Sequence, residues 1–240
     1  MSIKTSKATL KKEARQPQNI ITPKKLNAIK FQTYYEQVVS DHYNEGPSMV
    51  REHLAQYGWT EYFKDIKLKK TDKIVDIGTG PGYFIDILVN NKFKNIYGVT
   101  YSEKEFEDNK DKPGVTMWCQ DMSDLPFEDR EIDFIRASDV LQCSVMPYIT
   151  LLEFNRVLKK GGQVFIEVPL PHQPLKHEFI RNRYSVLGQA QLEALIFRSG
   201  FDVEWAKITT VPVKNNESND EFNDQSLTIL ATLKRPIDIK

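Results

Sequence analysis

A run of small residues directly after an apolar segment is the first feature of this sequence that could bind a ligand. Residues 74–82 read IVDIGTGPG, in which an apolar run carries Asp76 and is followed by Gly78, Gly80 and Gly82. Glycines let the backbone turn sharply and approach a ligand closely, and a helix that starts after them presents unpaired amide groups at its N-terminus. The spacing therefore predicts a strand, loop and helix that hold a flat, polar ligand.

The same glycine loop has two other interpretations. A dinucleotide fingerprint places its last glycine three positions after the second, so that pyrophosphate sits on the helix end. Tyr83 stands three positions after Gly80, which disfavours a nicotinamide cofactor. A tight turn that binds no ligand is the remaining alternative.

The spacing D-x-G-x-G-x-G resembles motif I of the class I S-adenosylmethionine-dependent methyltransferases. Three later segments follow in that family's order, so the resemblance spans roughly residues 70–170: MWCQDMSDLPF at 117–127, EIDFIRASDVLQC at 131–143 and FNRVLKKGGQVFIEVP at 154–169. Together they are similar to the broad type 11 methyltransferase group. The resemblance implies a Rossmann-like methyltransferase fold and S-adenosylmethionine as the cofactor.

The resemblance also implies which residues hold the cofactor. In the family, motif I holds the methionine moiety and the ribose side, and an acid after the third strand accepts the exocyclic amino group of adenine while an apolar neighbour covers the ring. Asp121 and Met122 match the adenine positions, although Asp121 could instead cap a turn. The residues expected at the cofactor are Asp76, Gly78, Thr79, Gly80, Gly82, Thr100, Tyr101, Asp121, Met122 and Ser138.

One position departs from the family pattern. The family usually places an acid after the second strand, where it takes both ribose hydroxyls, but residues 98–103 read GVTYSE and put Thr100 there. Because a threonine hydroxyl is neutral and accepts only one such hydrogen bond, we expect cofactor affinity to fall by about 1–2 kcal/mol unless Glu103 reaches in.

Methyl transfer from a sulfonium requires mainly in-line positioning, and a base is needed only when the acceptor must lose a proton. Ligands of doubly wound sheets sit beyond the carboxyl ends of the strands, which makes Glu167, His172 and Asp139 the candidate catalytic residues. The alternatives are that Asp139 caps the next turn, that Glu167 pairs with a helix residue and that His172 is solvated. No metal site is predicted, because no cysteine pair or H-E-x-x-H motif is present.

The elements that must position these residues alternate between short apolar runs and amphipathic stretches. This pattern predicts an α/β fold with a doubly wound, mostly parallel seven-stranded sheet. The runs 201–213 and 226–235 have no helix between them and are predicted to pair as an antiparallel C-terminal hairpin across the polar connection 214–225. The residues 159–162, which read KKGG, are predicted to end the preceding helix as a C-cap.

The chain is predicted to divide into three parts. Residues 1–27 are basic and poor in apolar side chains, which predicts a disordered tail. Residues 28–66 carry apolar residues at helical spacing and are interpreted as N-terminal helices on the substrate side. Residues 67–240 are expected to form the methyltransferase domain.

The overall composition narrows the classes of partner and the cellular location that we expect. The 33 basic and 33 acidic side chains cancel, so the net charge does not indicate a nucleic-acid or membrane partner. The two cysteines, Cys119 and Cys143, are too few for a secreted fold that disulfide bonds hold together. No apolar run has the length of a membrane span. A cytoplasmic location is therefore expected.

The leading hypothesis is methyl transfer to a small or medium acceptor, such as a metabolite, a sugar or a lipid precursor. The alternatives are a non-catalytic binding or partner subunit with this fold, an RNA or protein methyltransferase guided by the basic tail and, last, a nicotinamide oxidoreductase. The oligomeric state is not predicted.

Overall fold

One mixed sheet of seven strands runs through the protein, whose computed structural model describes residues 49–171, 184–214 and 221–237. The strands are β1 Lys73–Ile77, β2 Asn95–Thr100, β3 Val115–Cys119, β4 Ile132–Ser138, β5 Leu158–Pro169, β6 Phe201–Lys214 and β7 Glu221–Leu233. Their order across the sheet is β3-β2-β1-β4-β5-β7-β6. β1 to β5 are parallel, and β7 pairs antiparallel with both β5 and β6. The predicted fold class, including its antiparallel hairpin, is confirmed.

Five α-helices are described. They are α1 Met49–Glu61, α2 Tyr83–Asn90, α3 Glu103–Asn109, α4 Pro147–Val157 and α5 Gln189–Arg198, with short 3-10 turns at Phe63–Asp65 and Leu141–Cys143. None of the helices in the described ranges is long and apolar enough to cross a bilayer. The predicted tail and the helix predicted before α1 lie outside the described residues.

The core lies on the two faces of the sheet. On one face, Val75, Ile135 and Val164 pack with α4 and α5 in a cluster that also takes in β7. On the other face, Phe134 and Phe165 pack with α2 and with the segment that follows α1. Since successive residues of a strand point to opposite faces, strands buried on both sides read as continuous apolar runs.

The hairpin strands are longer than predicted. Lys214 belongs to β6 and residues 221–225 belong to β7, although all of them fall in the polar run that was predicted to be a connection. The two strands pair as far as Lys214 with Glu221, because ladder hydrogen bonds depend on the backbone rather than on apolar side chains. Residues 215–220 lie outside the description.

The predicted C-cap of α4 is wrong. The helix ends at Val157, and Leu158 is already extended, with φ −75° and ψ 138°. Leu158 pairs with Ile132 on β4, and the ladder resumes after a register shift with Phe134 opposite Gln163. The strand pairing therefore begins before residues 159–162 and places them beyond the helix end.

Candidate functional site

The glycine loop between β1 and α2 has the geometry that its sequence predicts. Gly78, Gly80 and Gly82 all have positive φ, at 70°, 56° and 88°. The Gly78 N–H donates to the carbonyl oxygen of Val99 at 2.8 Å. A Cβ at Gly78 would lie 2.7 Å from Val140 Cγ2, so a larger residue there meets both an unfavourable backbone conformation and a steric clash.

Helix α3 braces this loop from the side. Asn109 is fully buried, and its Nδ2 donates to the carbonyl oxygens of Gly80 at 3.0 Å and Glu105 at 2.8 Å. A Cβ at Gly82 would collide with Asn109 Oδ1. Sequence reasoning missed Asn109, because the sequence carries no sign that α3 would pack its last turn against residues 80–82.

A shallow cleft opens to solvent at the carboxyl ends of β1 and β2. It is lined by Ile77, Gly78, Val99, Thr100, Tyr101, Gln120, Met122 and Val140. The four predicted cofactor residues among these are Gly78, Thr100, Tyr101 and Met122. Gln120 and Val140 are not among the predicted site residues, although Gln120 directly precedes Asp121 and Val140 directly follows Asp139.

Three further predicted residues lie beside the cleft and support its walls. Thr79 is buried, and its hydroxyl donates to the carbonyl oxygen of Asp76 at 3.1 Å. Asp121 precedes Met122, and its Oδ1 accepts the Ser123 N–H at 2.6 Å, which is the turn cap that was considered as an alternative. Gly80 lies in the braced loop.

Asp76 lies under the loop, in an ion pair, and does not line the cleft. Its carboxylate is completely buried and lies 2.8 Å from Arg136 Nη1 on β4. Burial raises the pKa of the Asp76 carboxyl, and the positive charge of Arg136 opposes that shift. The guanidinium of Arg136 also lies 4.6 Å from the centre of the Phe84 ring. Asp76 therefore joins β1 to β4 beneath the glycine loop.

Thr100 meets a different acid from the one that was expected. Its hydroxyl donates to Glu105 Oε2, and Thr100 Oγ1 accepts the Ser102 N–H at 3.1 Å. Glu103 is exposed at the start of α3, whereas Glu105 is buried. Glu103 therefore does not reach in to Thr100, because the helix turns residue 105 and not residue 103 toward β2.

A second polar group lies at the carboxyl ends of β4 and β5. Ser138 Oγ donates to Glu167 Oε2 at 2.6 Å, and the Asp139 N–H donates to the carbonyl oxygen of Glu167 at 2.9 Å. Asp139 has φ 53°, and its Oδ1 accepts from Gln142 Nε2 at 2.6 Å, so it holds the next turn as the alternative supposed. Ser138, which was predicted at the cofactor, is hydrogen-bonded to Glu167 and does not line the cleft. His172 lies outside the described residues.

The residues present fit an adenosine-like ligand. Ile77, Val99, Met122 and Val140 offer apolar surfaces to a flat ring, while Thr100 and Gln120 supply hydrogen-bonding groups at its edge. Gly78 lets Val140 pack directly against the loop backbone, because a Cβ at residue 78 would lie 2.7 Å from Val140 Cγ2. Within the described ranges, no group of three His, Cys, Asp or Glu side chains could hold a metal ion.

Comparisons with known proteins agree with this geometry. Residues 75–166 match the family model described as a methyltransferase domain. The chain is 26% identical over 209 residues to an uncharacterised 37.1 kDa protein of a Streptomyces fradiae transposon, covering 77% of this chain and 59% of that protein. It is 30% identical over 119 residues to demethylmenaquinone methyltransferase of Staphylococcus aureus, covering 47% of this chain and 49% of the enzyme. The chain thus spans between half and three fifths of these relatives.

Solved structures share the fold. A possible histamine N-methyltransferase of Thermotoga maritima superposes with a TM-score of 0.60 at 23% identity, covering 84% of this chain and 99% of that chain. A chain from the complex between the Haloferax volcanii Trm112 methyltransferase activator and its candidate methyltransferase gives a TM-score of 0.64 at 18% identity, covering 79% of this chain and 95% of that chain.

Proposed function

Because residues 75–166 match the methyltransferase domain family, we propose that this chain is a class I methyltransferase that transfers a methyl group from S-adenosylmethionine to a small or medium-sized organic acceptor. The observation that carries the proposal is the cleft at the carboxyl ends of β1 and β2, where a positive-φ glycine loop faces apolar walls and a polar rim. A doubly wound sheet binds its ligands at this edge.

The donor site follows from the cleft. In this proposal Gly78 gives the backbone access, Met122 and Val140 cover the faces of the adenine ring, Gln120 meets its polar edge and Thr100 lies at the ribose. Asp121 accepts the exocyclic amino group in this proposal, with its position set by the Ser123 N–H. S-adenosylmethionine supplies an electrophilic methyl group on a sulfonium when it is bound.

The acceptor approaches over the neighbouring strand ends. Ser138 lies at the end of β4, the strand next to β1, and Glu167 lies on β5, one strand beyond it. The similarity to a demethylmenaquinone methyltransferase supports an organic acceptor of modest size.

Glu167 is the group that we propose to take a proton from the acceptor. Its Oε2 accepts a hydrogen bond from Ser138 Oγ at 2.6 Å, which orients the carboxylate at the end of β5. A carboxylate held at a strand end can accept a proton from a hydroxyl or amine as the methyl group is transferred. Asp139 then acts by holding the turn around Gln142.

The donor site is tested by calorimetric titration with S-adenosylhomocysteine. We expect one-to-one binding that weakens about tenfold in Asp121→Asn, because this change removes the charge of the acceptor but keeps an oxygen for the Ser123 N–H. The matched control is Asp124→Asn, an exposed carboxylate in the same loop, which is expected to leave the affinity unchanged. A folded wild-type chain that fails to bind at millimolar ligand would refute the proposed donor site.

The catalytic assignment needs a separate measurement. In an acceptor screen with radiolabelled S-adenosylmethionine, Glu167→Gln is expected to lower the rate of methyl transfer by 100-fold or more, on the order of the loss of a general base, while S-adenosylhomocysteine affinity stays unchanged. Equal rates in Glu167→Gln and wild type would exclude Glu167 as the base. Binding without transfer to any acceptor would support the non-catalytic alternative.

A further inference from the structure

The last residue of α3, Asn109, is a buried amide in contact with the glycine loop. Asn109 is completely buried, and its Nδ2 donates to the carbonyl oxygens of Gly80 at 3.0 Å and Glu105 at 2.8 Å. Both partners are carbonyl oxygens, which accept hydrogen bonds and cannot donate them, so the amide nitrogen and not the amide oxygen must face them. The two contacts therefore determine the orientation of the side chain.

The amide oxygen of Asn109 lies against Gly82. A Cβ at Gly82 would overlap with Oδ1, and this oxygen has no hydrogen-bond partner in the part of the chain that the structure describes. A buried carbonyl oxygen without a donor is destabilising, and asparagine forms helices less readily than alanine does. The stability of α3 therefore does not explain an asparagine at position 109, whereas its hydrogen bond to the loop does.

This hydrogen bond reaches the middle of the loop. The start of the loop is tied to β2, because the Gly78 N–H donates to the carbonyl oxygen of Val99 at 2.8 Å. Gly80 is followed by Pro81, which has no N–H. The carbonyl oxygen of Gly80 is thus the one group of that peptide unit able to form a conventional hydrogen bond. The bond from Asn109 therefore sets the orientation of this peptide plane.

Helix α3 is itself anchored to the β2 side of the cleft. Glu105, in its first turn, accepts a hydrogen bond from the hydroxyl of Thr100, which is the last residue of β2 and one of the cleft-lining residues. Asn109 lies one turn further along the helix and donates to the carbonyl oxygen of Glu105. The helix thus connects the end of β2 to the glycine loop, so hydrogen bonds through α3 join two walls of the cleft.

We propose that Asn109 is a positioning residue that holds the glycine loop in its ligand-binding conformation. It is not among the residues that line the cleft, so it acts on the donor through the backbone of Gly80. A loop that is ordered before the ligand arrives loses less conformational freedom on binding. Fixing the backbone of one residue corresponds to about tenfold in affinity. This inference rests on the proposed donor site.

Two substitutions separate the hydrogen bond of Asn109 from its bulk. Asn109→Leu keeps a side chain of similar size next to Gly82 but removes the amide, and Asn109→Ala removes both the amide and the bulk. The measurement is calorimetric titration with S-adenosylhomocysteine at a temperature well below the Tm of every variant. We expect both variants to bind about tenfold more weakly than the wild-type chain.

Asn91→Leu is the matched control for a merely structural role. Asn91 follows α2, and its Nδ2 donates to the carbonyl oxygen of Ile87, four residues earlier, at 2.8 Å. Asn109 makes the same local bond to Glu105, but Asn91 has no bond to the glycine loop. Asn91→Leu is therefore expected to lower the Tm and to leave the affinity unchanged.

The outcomes distinguish this inference from the donor site on which it rests. Unchanged affinity in Asn109→Leu would overturn the inference, even if Asn109→Ala bound weakly, because bulk alone would then hold the loop. An equal loss of affinity in Asn91→Leu would overturn it as well, because the loss would then follow stability. If the wild-type chain does not bind S-adenosylhomocysteine, the donor site and the inference fail together. If the wild-type chain and both Asn109 variants bind equally well, the inference alone fails.

Discussion

At the scale of single residues, the glycine loop depends on a position where an added Cβ atom does not fit. Gly78 combines φ 70° with a neighbour, Val140, that leaves no room for a Cβ. Asp76 is a different case, because it is buried without lining the cleft and is held by Arg136. The same motif therefore contains a residue that shapes the cleft and a residue that holds two strands together.

Gly78→Ala and Gly114→Ala separate backbone strain from steric conflict. Gly114 has φ 76° but nothing within 4 Å of a Cβ, so its substitution is expected to cost only about 1 kcal/mol for the left-handed backbone. Gly78→Ala adds the contact with Val140 and is expected to lower the free energy of unfolding by at least about 1 kcal/mol more. Urea unfolding of both variants measures the difference.

Adding Val140→Ala to the Gly78→Ala variant tests the assigned cause. The second substitution enlarges the space around residue 78 and is expected to recover part of the extra loss beyond its own effect in the wild-type background. Equal losses for the two glycine variants would mean that Val140 moves aside without resistance.

At the scale of elements, Arg156 on α4 makes several of the contacts that hold the segment after β3. Arg156 pairs with Glu153 through Nε at 2.9 Å and Nη2 at 2.8 Å, and with Asp129 through Nη1 at 2.8 Å. It also donates to the carbonyl oxygens of Leu125 at 3.1 Å and Phe127 at 2.8 Å. The hydrogen bonds with Glu153 raise the pKa of Arg156, so the guanidinium stays charged.

Arg156→Met is expected to lower the free energy of unfolding by about 3 kcal/mol, because it leaves the carboxylate of Glu153, only 4% exposed, without its bidentate partner. Chemical denaturation checks this value. Lys159→Met is the control, since its pair with Asp133 is more exposed and is expected to contribute less than about 1 kcal/mol.

A double variant distinguishes loss of charge pairing from loss of packing. Adding Glu153→Gln to Arg156→Met removes the uncompensated buried charge, so much of the stability is expected to return. If the double variant is as unstable as the single one, the contacts of Arg156 with the backbone carbonyls dominate instead.

At the scale of the whole molecule, Tyr62 connects the segment after α1 to the far edge of the sheet. Its hydroxyl forms a hydrogen bond with Thr209 on β6, and its ring lies 5.9 Å from that of Phe165 and 5.6 Å from that of Trp205. Burial raises the pKa of Tyr62 to about 12. The ionisation of one hydroxyl is therefore linked to global unfolding.

Between about pH 10, where tyrosine ionises in the unfolded chain, and the pKa of about 12 in the folded protein, only the unfolded state releases the proton of Tyr62. Stability is expected to fall as pH rises through this interval. Tyr62→Phe should flatten that part of the pH dependence, measured by denaturation at several alkaline pH values. The exposed Tyr148→Phe serves as the control, and identical slopes in Tyr62→Phe and wild type would contradict the linkage.

The sequence by itself determined the elements and the class of site. The alternation of apolar runs with amphipathic stretches predicts strands and helices, and the glycines at 78, 80 and 82 predict a tight turn. These are local features, because they depend on residues that are neighbours in the sequence. The mixed sheet, the C-terminal hairpin and the position of the ligand loop were all accessible in this way. The end of α4 was not, because pairing of Leu158 with Ile132 outweighed a local capping pattern.

Only the tertiary structure decided which side chains serve the cleft. Asp76 and Arg136 lie 60 positions apart and meet because the register of β1 and β4 places them opposite each other. Val140 packs against Gly78, and Glu105 rather than Glu103 reaches Thr100. Both contacts arise because the packing of neighbouring elements decides which face of each element points toward the loop. Such contacts depend on register and helix rotation, and sequence spacing constrains these quantities only after the neighbouring elements are in place.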